Sequence, residues 1–163
     1  DEERGNEAVV LPAIILHDVG WKAIAPELQL KAFGPGSYDL ELNRIHEVEG
    51  AAIAGRILND AHYDSDLANQ IVEIILGHDS RKAALSLDDA IVKDADKLWR
   101  FSEEALRIDP KRFGVDPAAH AQWLGNQIDD WFLTRTAREI ARIEQALRSA
   151  SFVSGCQKDK EGC

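Results

Sequence analysis

The chain has 163 residues, enough for one domain with a real core and too few to expect two. Hydrophobic residues make up 45% and charged residues 29%, which argues against disorder, collagen-like repeats and low complexity. The formal net charge of -10 disfavours nonspecific attraction to a nucleic-acid polymer or an anionic membrane surface.

The longest apolar run, residues 8–16, is about half of the roughly 20 residues that a membrane span requires. The Asp1-Glu2-Glu3-Arg4 start lacks the basic and apolar regions of a signal peptide, so the cytoplasm is the expected location.

Taken in chain order, the periodicity predicts helix almost throughout. A first helix covers residues 9–18, with Pro12 near its start, where a missing N–H costs least. Residues 21–38, holding Pro26 and the Phe33-Gly34-Pro35-Gly36-Ser37 turn cluster, are expected to form a long irregular loop. Asp39 can cap a second helix to about residue 59, with Leu42, His46, Gly50, Ile53 and Ile57 on one stripe.

After the Asp64-Ser65-Asp66 cluster, a third helix puts Leu67, Ile71, Ile74 and His78 on one face, and Ser86 with Asp89 resembles a capping box opening a fourth. Asp109-Pro110 and Asp116-Pro117 are turn and helix-start signals. Residues 117–150 carry one long helix or two consecutive ones, and 151–163 form a polar tail. Cys156 and Cys163 in that tail make neither a disulfide framework nor a zinc site. No strand alternation or internal repeat is visible, so the fold class is all-α, a helical domain over residues 1–150.

Three histidines, His17, His46 and His78, occupy positions that apolar residues normally hold. One such residue reads most simply as a hydrogen-bonded core histidine. Three together, with Asp18, Asp79 and Asp96 close by, form the inventory of a His/carboxylate site for Mn, Fe, Zn, Ni or Mg. His62 and His120 sit beside polar or loop residues and read as surface. Trp99, Trp123, Trp131 and Phe132 read as core rather than as stacking platforms.

Leu16-His17-Asp18-Val19-Gly20 resembles the signature doublet of the HD superfamily of metal-dependent phosphohydrolases. It is followed by Arg44-Ile45-His46-Glu47-Val48-Glu49-Gly50-Ala51, then Ile71-Val72-Glu73-Ile74-Ile75-Leu76-Gly77-His78, then Ile91-Val92-Lys93-Asp94-Ala95-Asp96-Lys97-Leu98. Order and type of every element are similar to the family's from about residue 6 to 105. The resemblance implies a compact bundle of about five to seven helices. It makes His17 and Asp18 ligands of the principal metal and Asp96 the closing aspartate, although periodicity alone does not choose Asp96 over Asp94.

The same resemblance matches His46 and His78 to histidines that, in some branches, bind a second metal or contact phosphate. It also implies a double role for Asp18, as ligand and as the catalytic group orienting water. The cofactor is therefore expected to be one or two divalent ions (Mn, Fe, Ni, Zn, Co or Mg). Lys22, Arg81, Lys82 and Lys97 are the basic residues near these motifs that could contact phosphate, with ordinary solvated charge as the alternative. Asp79 could hold an imidazole from outside the ligand set or cap the loop after it.

The family pattern opens with a further His on an earlier helix, and residues 1–16 contain no His. That helix is expected to lie upstream of this sequence, or this member lacks it. The expected activity is hydrolysis of a phosphate ester in a nucleotide or other small phosphorylated metabolite; the alternative is a catalytically inactive regulatory or ligand-binding module. The Ile140, Ile143 and Leu147 side of the last helix leaves a homodimer open.

Overall fold

A computed structural model describes residues 3–33 and 39–158. The turn cluster at 34–37, and residues 159–163 of the polar tail with Cys163, lie outside the described residues. All regular structure in the described residues is helical: α1 (Glu7–Leu16), a 3-10 turn (Val19–Ala23), α2 (Pro26–Phe33), α3 (Leu40–Asp60), α4 (Ser65–Ile75), α5 (Leu87–Leu98), a second 3-10 turn (Trp99–Phe101), α6 (Glu103–Phe113), α7 (Pro117–Trp131) and α8 (Arg135–Lys158). The all-α class is as expected. No helix among the described residues is long and apolar enough to cross a membrane.

The chain divides into two compact units, Asp1–Lys93 and Asp94–Cys163. In the first, Val9 and Ala13 of α1, Ala51, Ala54 and Leu58 of α3, Ile71, Ile74 and Ile75 of α4, and Val92 of α5 form one apolar core. In the second, Phe101, Leu106, Ala121, Leu124, Ile128, Phe132, Ala137 and Ala141 form another.

Local chemistry explains most boundaries. The Asp39 carboxylate accepts from the Glu41 and Leu42 N–H groups, and that of Asp64 from Asp66 and Leu67. Asp116 caps α7 ahead of Pro117, and Gly114 ends α6 at φ 66°.

Several expectations need correction. Asn6 caps α1, so Pro12 stands inside the helix rather than at its start; the Ala8 carbonyl it leaves without an N–H four residues on accepts the Tyr63 hydroxyl at 2.7 Å. The expected loop 21–38 contains a 3-10 turn and α2, and Pro110 lies within α6 instead of marking a turn. The buried face of α3 is centred on Asn43, His46, Glu47, Gly50, Ala51, Ala54 and Leu58, while Ile57 is exposed. Small and polar residues fill that face because another segment approaches it closely. His62 is exposed as expected, but His120 is buried. Phe132 is core, whereas Trp99 and Trp123 are substantially exposed. Helix α8 runs on to Lys158, through much of the expected tail.

Candidate metal centre

The first unit brings three histidines together from three places in the chain. His17 follows the last turn of α1, His46 lies in the middle of α3, and His78 follows α4. The link between the first two is steric. Gly20, in the 3-10 turn after His17, lies so close to α3 that an added Cβ would stand 1.9 Å from the His46 carbonyl oxygen. Only glycine permits that approach, and it lays residues 17–21 against α3 at His46.

The ring orientations follow from hydrogen bonds. His17 Nδ1 lies 2.7 Å from the Ile14 carbonyl, and His78 Nδ1 lies 2.8 Å from that of Ile75. A carbonyl oxygen only accepts, so in both rings Nδ1 carries a proton, which makes Nε2 the nitrogen that would ligate a cation once the ring is neutral. Both Nε2 atoms face carboxylates. His17 Nε2 is 3.3 Å from Asp18 Oδ2, and His78 Nε2 is 3.7 Å from Asp18 Oδ1 and 3.8 Å from Asp79 Oδ2. His46 Nε2 lies 3.8 Å from Asp18 Oδ1, 3.6 Å from Asp79 Oδ2 and 3.1 Å from His78 Nε2.

Among the described residues, two overlapping groups could each hold a cation: His17, Asp18 and His78, and His46, His78 and Asp79, with ligand atoms within 4.8 Å of one another. The donor set fits a divalent ion of the borderline class, because two imidazoles are locked with Nε2 inward and carboxylate oxygens complete the ring. Asp79, expected either to hold an imidazole from outside the ligand set or to cap the loop after it, presents its carboxylate to the Nε2 side of two histidines.

Electrostatics agree with the geometry. Burial alone would raise the Asp18 carboxyl, but His17 and His78 outweigh it and hold Asp18 far below the usual carboxylate range. Burial would lower His78, yet Asp18 and Asp79 carry it above its ordinary value. His46 is pushed down by burial and by the charge of His78.

Sequence reasoning assigned no role to the residues that hold this arrangement. Glu47, fully buried, accepts from the Asp79 and Ser80 N–H groups at 3.0 and 2.8 Å, from the Ser80 hydroxyl at 2.7 Å and from Arg44 at 3.2 Å. Lys93, also buried, donates to the carbonyls of Gly77, His78 and Arg81 at 2.6, 2.7 and 2.8 Å. One charge of each sign therefore fixes the turn that carries His78 and Asp79. Nothing in the sequence separates either residue from the other charges on α3 and α5, whose composition is mixed.

The expected phosphate-contacting cations divide. Lys22 and Lys82 are exposed. Arg81 is engaged at 2.8 Å with the buried carboxylate of Asp89, which also accepts from the Leu85 N–H. In the second unit, Lys97 Nζ lies 3.5 Å from the Trp131 carbonyl, and Asp96 is half-buried on the same helix. Asp94 accepts from the Leu133 and Thr134 N–H groups, which makes it the support of the start of α8.

A family model described as HD domain matches residues 1–100. No curated protein and no solved structure matches the chain.

Proposed function

Because the chain belongs to the HD-domain family, a superfamily of metal-dependent phosphohydrolases, we propose that it hydrolyses a phosphate ester in a nucleotide or other small phosphorylated metabolite, using one or two divalent cations held by His17, Asp18, His46, His78 and Asp79. The observation that carries this reading is the convergence of the inward Nε2 atoms of His17 and His78 on the Asp18 carboxylate. A divalent cation bound there would supply water of lowered pKa and polarised phosphoryl oxygens. Asp18 stays anionic at neutral pH, so it binds and orients rather than storing a proton. The backbone bonds at Nδ1 keep His17 and His78 from turning away. Glu47 and Lys93 prevent the His78–Asp79 turn from following a ligand outward.

The test is release of p-nitrophenol from mono- and bis-p-nitrophenyl phosphate, and of phosphate from a panel of nucleotides, with added Mn. Turnover that a chelator removes and Mn restores, and that Asp18→Ala lowers about 100-fold or more, is expected. Chelator-insensitive turnover, or metal binding with no turnover on any ester, would overturn the reading; the second result would identify a ligand-binding module.

A further inference from the structure

His46 differs from its two neighbours in how it is held. Their Nδ1 atoms are tied to backbone carbonyls, whereas the buried Nδ1 of His46 has no hydrogen-bond partner among the described residues. The ring is nevertheless fully buried. What lies against it is the indole of Trp21, stacked face to face with ring centroids 4.0 Å apart and an interplanar angle of 9°. The same indole reaches Asp18: Trp21 Nε1–H donates to Asp18 Oδ1 at 3.0 Å.

The backbone of Trp21 is itself pinned. Its N–H donates to the Asp18 carbonyl, and its own carbonyl accepts from the Ile24 N–H and from Gln29 Nε2. Gln29 also donates to the Ile24 carbonyl, which fixes the turn from the α2 side. One side chain on a rigid turn thus touches two groups of the site in two different ways.

We infer that Trp21 is a positioning residue for the cation: its N–H fixes which oxygen of Asp18 faces His46 and His78, and its ring face sets the plane of His46. The inference rests on the metal reading given under Proposed function. An indole N–H is a neutral donor with no acceptor lone pair, so it takes one lone pair of Oδ1, leaves another, and adds no positive charge to repel a cation. The flat face replaces the hydrogen bond that normally orients a ligating imidazole. Asp18 is half-exposed and would otherwise rotate toward water, turning Oδ1 away from the two imidazoles it lies near.

The experiment is Co(II) titration of the whole chain, followed by visible absorption and by competition with Mn, for the wild type, Trp21→Phe and Trp21→Leu. Trp21→Phe keeps an aromatic face and removes the N–H; Trp21→Leu removes both. Affinity is expected to fall about 10-fold in the first and about 100-fold in the second, with a shifted Co(II) absorption band at saturation and unchanged far-ultraviolet circular dichroism. A purely structural role would lower the thermal midpoint of the metal-free protein and leave the saturated spectrum as in the wild type. Wild-type binding with unchanged affinity and spectrum in Trp21→Phe overturns this inference alone. A wild type that binds no Co(II) or Mn overturns the metal reading and this inference with it. If Trp21→Leu does not fold, the affinity and spectrum of Trp21→Phe alone decide the outcome.

Discussion

The Nε2 atoms of His46 and His78 lie 3.1 Å apart, within hydrogen-bonding distance. His78 also belongs to both groups able to hold a cation, whereas His46 and Asp79 belong to one and His17 and Asp18 to the other. His78→Ala is therefore expected to abolish metal retention altogether, and His46→Ala or Asp79→Ala to leave the His17–Asp18–His78 group able to bind. Titration of the three variants with Mn checks the order. Equal retention in His78→Ala and Asp79→Ala would show that the groups do not share that ligand.

Glu47 supports the same turn from behind. Glu47→Gln keeps the volume but can accept fully at only one of its two terminal atoms, so the bonds from Asp79, Ser80 and Arg44 cannot all survive. A loss of about 1–3 kcal/mol is expected, read by urea unfolding at neutral pH. Burial raises the Glu47 carboxyl, but the Ser80, Asp79 and Arg44 bonds carry it below 4.5. The unfolded chain then binds the proton first on acidification. The contribution of Glu47 is present above about pH 4.5 and is lost as pH falls through the lower folded value. The gap between wild type and Glu47→Gln is expected to narrow there.

Gly20 tests the approach of the turn to α3. In Gly20→Ala the new Cβ would meet backbone atoms of His46 and Gly50, at 1.9 and 2.5 Å, and backbone in mid-helix cannot step aside as a side-chain tip can. Destabilisation of about 3 kcal/mol is expected, with weakened metal binding. Thermal unfolding of the variant within a degree of the wild type would mean that the turn is not seated on α3.

His120 offers a test away from the metal centre. Burial holds it below 6.5, Asp109 opposing and Arg100 assisting. The unfolded state therefore takes up the proton first, and stability falls as pH drops from about 6.5 toward the folded value. His120→Gln removes that term. The difference in stability between wild type and variant should shrink from pH 7.5 to 5.5, and a difference constant across that range would contradict the assignment.

Much of this was legible in the sequence, for physical reasons that differ by residue. Asp39, Asp64 and Asp116 announce helix starts because capping is local chemistry. The three inward histidines stand out because imidazole is unusual on an apolar stripe. The stacking of Trp21 on His46 was not legible, since it depends on a turn meeting a helix 25 residues further on. Nothing local marks Glu47 or Lys93; only the fold shows that each satisfies backbone groups of one turn. Pro12 reads locally as a helix-start signal, because its tolerance inside α1 comes from Tyr63, distant in sequence.

The central claim is that these histidines and aspartates hold a divalent cation. It is tested most directly by elemental mass spectrometry of the wild type and His78→Ala, each equilibrated with Mn and then desalted. The account predicts at least one equivalent retained by the wild type and essentially none by His78→Ala, with identical helix content. Equal metal in the two, or none in the wild type, would contradict it.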